Sequence, residues 1–247
     1  MSSRVAVVTG SSGGIGSATV EAFQAEGWSV VGLDRSDPKG GKAGPDRFLR
    51  VDFARPDEVQ HAVHLLSGEA VHALVNNAAL NLSSRLVDTS LDDWNMLLAV
   101  NVTASFLTTK GLLPALAAAQ GAVVNVSSVH ALATSVDVSA YATTKGALAA
   151  LTRAAALELA SHGVRVNAVL PGAVDTPMLR ASIERVSPGD PEGGLRALAG
   201  RTPLGRVGAA VDVAQAIVFL ADGARSGFIT GQALVVDGGA TTRLSTE

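Results

Sequence analysis

Cysteine is absent from this 247-residue chain, which excludes disulfides and thiolate metal sites. An excess of positive charge is absent too. The formal net charge is −3, so nothing electrostatic points to nucleic acid or an anionic membrane as a partner. No long apolar run opens the chain. Val5 to Val8 is too short for a signal peptide, and a cytoplasmic protein is expected. Gly111 to Val136 lacks Asp, Glu, Lys and Arg, but Pro114, Gln120-Gly121 and Asn125 interrupt it. A soluble core is therefore expected there, not a membrane span. Internal repeats and low-complexity tracts are missing. His61 and His64 share a predicted helix without carboxylate or cysteine companions, so no metal role is expected.

What is present is a hydrophobic fraction of 47%, enough for one large domain over residues 1–247. Arg4 to Thr9 reads as a short buried strand. Gly10-Ser11-Ser12-Gly13-Gly14-Ile15-Gly16 follows, and then a helical pattern to about Gly27. A glycine turn between strand and helix lets the backbone approach a diphosphate, and the helix N-terminus supplies free N–H groups. Ser29 to Leu33 is a second strand with Asp34 at its end. An acidic residue there can hydrogen-bond an adenosine ribose 2′-OH and repels a 2′-phosphate, which favours NAD over NADP. Arg35 next door either faces solvent or holds such a phosphate. Ser36 to Asp46, with three glycines and two prolines, reads as a loop.

Further strands are predicted at Phe48 to Val51, Ala73 to Val75, Ala122 to Val126, Val164 to Leu170 and Ala233 to Val236. Helices are predicted at Pro56 to Leu66, from Ser90 onward with Asp93 as a capping-box partner, at Tyr141 to Ser161, and at Asp212 to Leu220. The stretch 175–206 is irregular apart from a weak helical pattern near Leu179 to Val186, and a substrate lid is its expected use. Alternation of strands and helices predicts an α/β doubly wound parallel sheet of about seven strands with helices on both faces. Ligands then bind at the carboxyl ends of the strands, where Gly10 to Gly16, Asp34, Asn76, Ser128 and Pro171 all fall.

The stretch Ser128 to Lys145 holds a hydroxyl, a phenol and an amine. Tyr141 and Lys145, four residues apart, share one face of a helix. A phenol with a pKa of about 10 is a poor base at neutral pH, and lowering it to about 7 takes about 4 kcal/mol. One ammonium at about 4 Å, at an effective dielectric near 20, supplies about that much. The chemistry this suits is proton exchange with an alcohol oxygen. Asn101, inside an apolar helical run, either satisfies its hydrogen bonds structurally or holds a water in a proton path.

Together these segments resemble the short-chain dehydrogenase/reductase family over nearly the whole chain. Thr9 to Gly16 matches its T-G-x-x-x-G-x-G, and Asn76 to Ala78 matches the N-N-A of its N-N-A-G, with Ala79 where glycine is usual. Asn101, Ser128, Tyr141 and Lys145 match its catalytic tetrad in order and spacing. Pro171-Gly172, Thr176 and Thr230-Gly231 to Gly239 match later motifs. The resemblance implies a single Rossmann-type domain in which Tyr141 exchanges the substrate proton and Ser128 hydrogen-bonds the substrate oxygen. Lys145 would lower the tyrosine pKa and hold the nicotinamide ribose, and Asn101 would keep a water. Gly10, Ser12, Gly14, Ile15 and Gly16 would form the cofactor turn. Asp52 and Phe53 would lie by the adenine, Asn76 and Ala78 near the adenosine-side ribose. Pro171, Gly172, Val174 and Thr176 would meet the nicotinamide end and the diphosphate. A homotetramer is implied, with the alanine-rich helix after Tyr141 as an interface.

Substrate residues are less defined. His130 either hydrogen-bonds a polyol, as the resemblance to some sugar dehydrogenases implies, or faces solvent or backbone. Asn81 and Asp137 are further candidates for the pocket wall. The expected activity is NAD-dependent interconversion of a small secondary alcohol, sugar or polyol with its carbonyl. The alternatives are a 3-oxoacyl thioester reductase using NAD(P)H, and a non-catalytic cofactor-binding regulator, which would show a damaged tetrad.

Overall fold

The computed structural model describes residues 4–38 and 44–242. Residues 39–43 of the predicted Ser36 to Asp46 loop lie outside them. Seven strands form one sheet in which every pairing is parallel: β1 Val5–Thr9, β2 Ser29–Asp34, β3 Arg47–Arg50, β4 Ala73–Asn76, β5 Ala122–Val126, β6 Arg165–Pro171 and β7 Ala233–Val236. Their order is β3-β2-β1-β4-β5-β6-β7. The chain winds outward from β1 in one direction and resumes at β4 in the other. That reversal opens a crevice at the carboxyl ends of β1 and β4, the place where doubly wound sheets take ligands.

Side-chain alternation divides each strand between two helical layers. Val7 and Val123 face the layer that contains α2 (Pro56–Leu66), α4 (Ala104–Ala118) and α5 (Ser139–Leu159). Ala6, Val8 and Val124 face α1 (Gly14–Ala25) and α8 (Ala210–Ala221). Both layers bury β-branched and leucine side chains, so the central strands read as continuous apolar runs.

Between β4 and β5, α3 (Leu91–Leu98) passes into α4 through one π-helical segment, Ala99–Thr103. Ser90 caps α3 by accepting from the Asp93 N–H at 3.0 Å. The run Leu91–Ala118 is long enough to cross a membrane, and an 18-residue window within it is apolar enough, with a mean hydropathy of 1.4. Here it is a core helix: Ala104, Leu112, Ala115 and Leu116 are buried against the sheet and α2.

The segment 175–206 is more regular than its composition suggests. It forms α6 (Pro177–Val186) and α7 (Pro191–Arg201), each with proline in its first turn and a side-chain cap, Thr176 and Asp190 respectively. A short α9 (Gly223–Ser226) follows α8.

Candidate active site

The glycine turn joins β1 to α1. Gly10 has φ +66°, a conformation that glycine adopts without strain. Its N–H bonds to the Leu33 carbonyl at 2.7 Å, tying the turn to β2. A Cβ on Gly16 would overlap the Gly10 carbonyl oxygen, and one on Gly10 would meet Ala78 Cα at 2.8 Å. The backbone is therefore bare where the crevice opens. The N-terminus of α1 has no side-chain cap and no acidic residue in its first turn. Such an end suits a diphosphate. Gly14 faces Thr176, whose Cγ2 would lie 2.6 Å from an added Cβ, so the start of α6 closes over this turn.

Asp34 ends β2 as expected. Its carboxylate accepts from the Ser12 N–H at 3.0 Å and the Ser36 N–H at 2.9 Å. The acidic group is thus fixed beside the turn. Arg50, paired with Asp34 across the β2–β3 register, is engaged with the Arg35 carbonyl and Asp37 at 2.8 and 2.6 Å. Asp52 caps its own turn by accepting from the Ala54 N–H at 3.0 Å. The Phe53 side chain is buried in the core layer of α2.

Asn76 departs from expectation. Its amide donates to Asn125 at 2.8 Å and Thr109 at 3.1 Å, while its oxygen accepts from Thr108 at 2.7 Å. It locks β4 to β5 and α4, leaving no side-chain donor for a ribose. The next residue, Asn77, has the role at the turn. Its amide donates to the carbonyls of Thr9 and Gly10, both at 3.0 Å. Thr9 completes the clamp, its hydroxyl accepting from the N–H groups of Asn77 and Ala78 at 3.0 Å. A polar residue at the end of each apolar strand is the signal for both.

The tetrad is assembled from β5, the π segment and α5. Ser128 follows β5, and its hydroxyl accepts from the His130 N–H at 3.2 Å. Tyr141 and Lys145 stand on the first turns of α5, both buried. The lysine ammonium donates to the Val126 carbonyl at 2.8 Å and sits 5.6 Å from the Tyr141 ring centre. Ser127, which the sequence did not single out, donates to the Lys145 carbonyl at 2.8 Å. Asn101 is fully buried in the π segment. Its amide donates to the Leu80 carbonyl at 2.9 Å and Thr144 at 3.0 Å, and its oxygen accepts from the Leu80 N–H at 2.8 Å. These bonds tie the loop after β4 to α5.

Burial governs the protonation of the pair. It pushes the Tyr141 phenol up to about 12, with Ser128 pulling in the opposite direction. It pushes Lys145 down to about 8. The expected lowering of the phenol by Lys145 is absent in this arrangement: the ammonium is directed at the Val126 carbonyl, and only Ser128 opposes desolvation.

His130 is brought to the site: its ring meets that of Tyr141 edge-on at 5.8 Å, and Nδ1 bonds Thr134 Oγ1 at 3.1 Å. Burial lowers its pKa. Asp137 is exposed at φ +61°, and its carbonyl accepts from the Ser84 N–H at 2.8 Å. Asn81 Oδ1 is buried without a protein partner. Neither Asn81 nor Asp137 is hydrogen-bonded to the tetrad among the described residues.

A family model described as enoyl-(acyl carrier protein) reductase matches residues 10–241. Cyclopentanol dehydrogenase of Comamonas sp. is 34% identical over 249 residues, covering 96% of this chain and 97% of that protein. The solved aldohexose dehydrogenase of Thermoplasma acidophilum superposes with a TM-score of 0.92 at 33% identity, covering 98% and 96% of the two chains. ElxO, solved with NADP bound, has a TM-score of 0.86 at 27% identity, with 98% and 100% covered. The chain belongs to the short-chain dehydrogenase/reductase family. It is an NAD(P)-dependent oxidoreductase acting on CH–OH groups.

Proposed function

We propose that the protein interconverts a small secondary alcohol, sugar or polyol with its carbonyl, using NAD in preference to NADP. The observation that carries this reading is the meeting of Ser128, Tyr141 and Lys145 beside an uncapped helix end and a bare glycine turn. The residues present fit a dinucleotide. Gly10, Ser12, Gly14, Ile15 and Gly16 would hold the diphosphate, Asp34 the adenosine ribose, and Asp52 and Ala78 would lie along the adenosine half. Pro171, Gly172, Val174 and Thr176 would border the nicotinamide end. When bound, the nicotinamide supplies the hydride chemistry, and the protein orients it.

Tyr141 is the general acid/base. In carbonyl reduction its neutral phenol, favoured by burial, donates a proton to the forming alkoxide. In oxidation it accepts the alcohol proton, which requires the Lys145 ammonium to favour the phenolate. Ser128 donates to the substrate oxygen. Lys145 also holds the nicotinamide ribose, and Asn101 keeps the loop wall and α5 in register. His130 lies at the edge of Tyr141, leaving Nε2 for a substrate hydroxyl.

The preference for NAD is supported by the Asp34 carboxylate, a poor neighbour for a 2′-phosphate, and by the engagement of Arg50 elsewhere. A cytoplasmic homotetramer completes the reading. Reduction of 3-oxoacyl thioesters is the second reading, and the exposed apolar side chains Leu132, Val136 and Val186 on the substrate-side loops and lid favour it.

The test is NAD(P)H formation from NAD⁺ or NADP⁺ with aldoses, polyols and secondary alcohols. Turnover with NAD⁺ that is lost in Tyr141→Phe is expected. NAD⁺ binding without turnover of any alcohol would turn attention to thioester reduction.

A further inference from the structure

Next to Ala140, the residue before Tyr141, the loop after β4, α3, the start of α5 and the lid helix α6 line a cavity of about 270 Å³. Its floor is apolar, formed by Leu82, Leu97 and Ala140. Its wall carries the hydroxyl residues Ser83, Ser84 and Thr89, one cation, Arg185, and one carboxylate, Asp93.

Arg185 is unusual among the lid arginines. Arg180 pairs with Asp175 and Glu192 at 2.6 and 3.0 Å. Arg185 instead donates only to hydroxyls, Ser83 Oγ at 3.3 Å and Ser182 Oγ at 3.0 Å, both through one terminal nitrogen. No carboxylate is paired with it among the described residues. The acidic groups nearby are otherwise engaged. Asp93 accepts from the Ser90 hydroxyl at 2.7 Å, and Glu184 accepts from the Gly189 N–H at 3.0 Å. The Ser84 and Thr89 hydroxyls donate to the Arg85 carbonyl at 3.3 and 2.9 Å, which leaves the Ser83 hydroxyl beside the guanidinium. A guanidinium with free N–H groups, beside that hydroxyl and over an apolar floor, is matched by a planar or tetrahedral oxyanion.

We propose that this cavity is a substrate subsite in which Arg185, with the Ser83 hydroxyl, binds a carboxylate or phosphate on the substrate, so that the preferred alcohols carry an anionic group away from the reacting carbon. The assignment rests on the reading of Tyr141 as the centre of alcohol–carbonyl interconversion. It adds what that reading lacks, a charge requirement. The position on the lid makes recognition and closure one event: the anion bridges α6 to the loop after β4 in place of the lone Arg185–Ser83 contact.

The experiment uses matched pairs: a hydroxy acid against its methyl ester, and a sugar phosphate against the free sugar. kcat/KM is measured for the wild type, Arg185→Ala, Arg185→Lys and Tyr141→Phe. Arg185 is exposed, so its replacement leaves the fold intact. The anionic members are expected to be preferred, and Arg185→Ala to lower their kcat/KM about ten- to a hundredfold through KM, with the neutral members changed less than about twofold. Arg185→Lys should recover part of the loss. Whichever pair shows the effect distinguishes carboxylate from phosphate. Tyr141-dependent turnover without anion preference overturns the subsite and leaves the alcohol reading standing. An anion preference that survives Arg185→Ala overturns the assignment to this residue. Silence of every member in both directions, with NAD(P)H bound, overturns both.

Discussion

Lys145 is buried with its ammonium on a backbone carbonyl, and its pKa falls to about 8 for want of solvent. In the unfolded chain it titrates at about 10.4. Between these values the unfolded state binds more protons, so stability rises with pH from about 8 to about 10.4. Tyr141 works in the opposite sense. Its folded value of about 12 lies above the free value of 10.0, so the folded state keeps the proton and stability falls between them. Urea unfolding across pH 7 to 10 should therefore show a rise (about 1 kcal/mol or more) that is absent in Lys145→Met. A flat wild-type profile would show that the amine is not desolvated as its burial implies. The asparagine pair shows what a sequence conveys at this scale. Both Asn76 and Asn77 stand at a strand end, and spacing alone does not say which one faces the turn. The pleat decides: Asn76 points into a network with Asn125 and Thr108, and Asn77 turns toward Gly10. Replacing Asn77 by Ala removes the side-chain donor shared by the Thr9 and Gly10 carbonyls, of which Gly10 keeps the Gly13 N–H at 3.2 Å. A loss of about 1–3 kcal/mol and weaker NAD(P)H binding are expected, read by thermal unfolding and by fluorescence titration.

Among elements, the glycine turn and the lid are coupled through one contact. A Cβ on Gly14 would press on the Thr176 methyl at the start of α6, whereas one on Gly16 would strike the backbone oxygen of Gly10. Thr176 Cβ, at 2.8 Å from the added atom, cannot rotate away, so the start of α6 must shift; that helix end can move where the turn's own backbone cannot. Gly14→Ala is thus expected to raise the KM for cofactor and substrate together with little change in Tm, since it lifts the lid. Gly16→Ala should abolish cofactor binding and lower Tm by several degrees. Equal effects of the two on Tm would show that Thr176 is as unyielding as the turn. The strands and most helices were legible because apolar period, caps and breakers agreed: α2 and β5 occupy the predicted residues. The helix α7 was not. Gly193-Gly194 lowers its intrinsic preference, and it is held by Pro191 at its first turn and by the Asp190 carboxylate on the Gly193 N–H at 2.8 Å. The π segment was equally hidden. An extra residue in a helical turn leaves the apolar pattern almost unchanged, yet it buries Asn101.

At the scale of the whole molecule, the apolar surface left over by the fold is not randomly placed. The outward side of the α3–α4 and α5 layer exposes Met96, Phe106 and Leu157, the last 83% accessible, next to the small residues Ala150 and Ala154. On the opposite layer and the β7 edge, Phe219, Phe228 and Leu234 are exposed, with Phe228 entirely so. The family resemblance pointed to the first face, since it implied the alanine-rich helix after Tyr141 as an interface. The sequence did not signal the second, because an edge strand reads like any other apolar strand until the sheet order is known. We propose that these two faces, on different sides of one subunit, are the two isologous interfaces of the homotetramer, since two such faces close into D2 symmetry. Light scattering on the eluting protein is expected to give four subunits for the wild type. Leu157→Arg and Phe228→Asp, each on one face, should give dimers, and the double variant a folded monomer, because both side chains are solvent-exposed within the subunit. A wild-type monomer would refute the tetramer outright. A tetramer that survives both substitutions would mean that these side chains lie outside the contacts, and the interfaces would then have to be sought elsewhere on the surface.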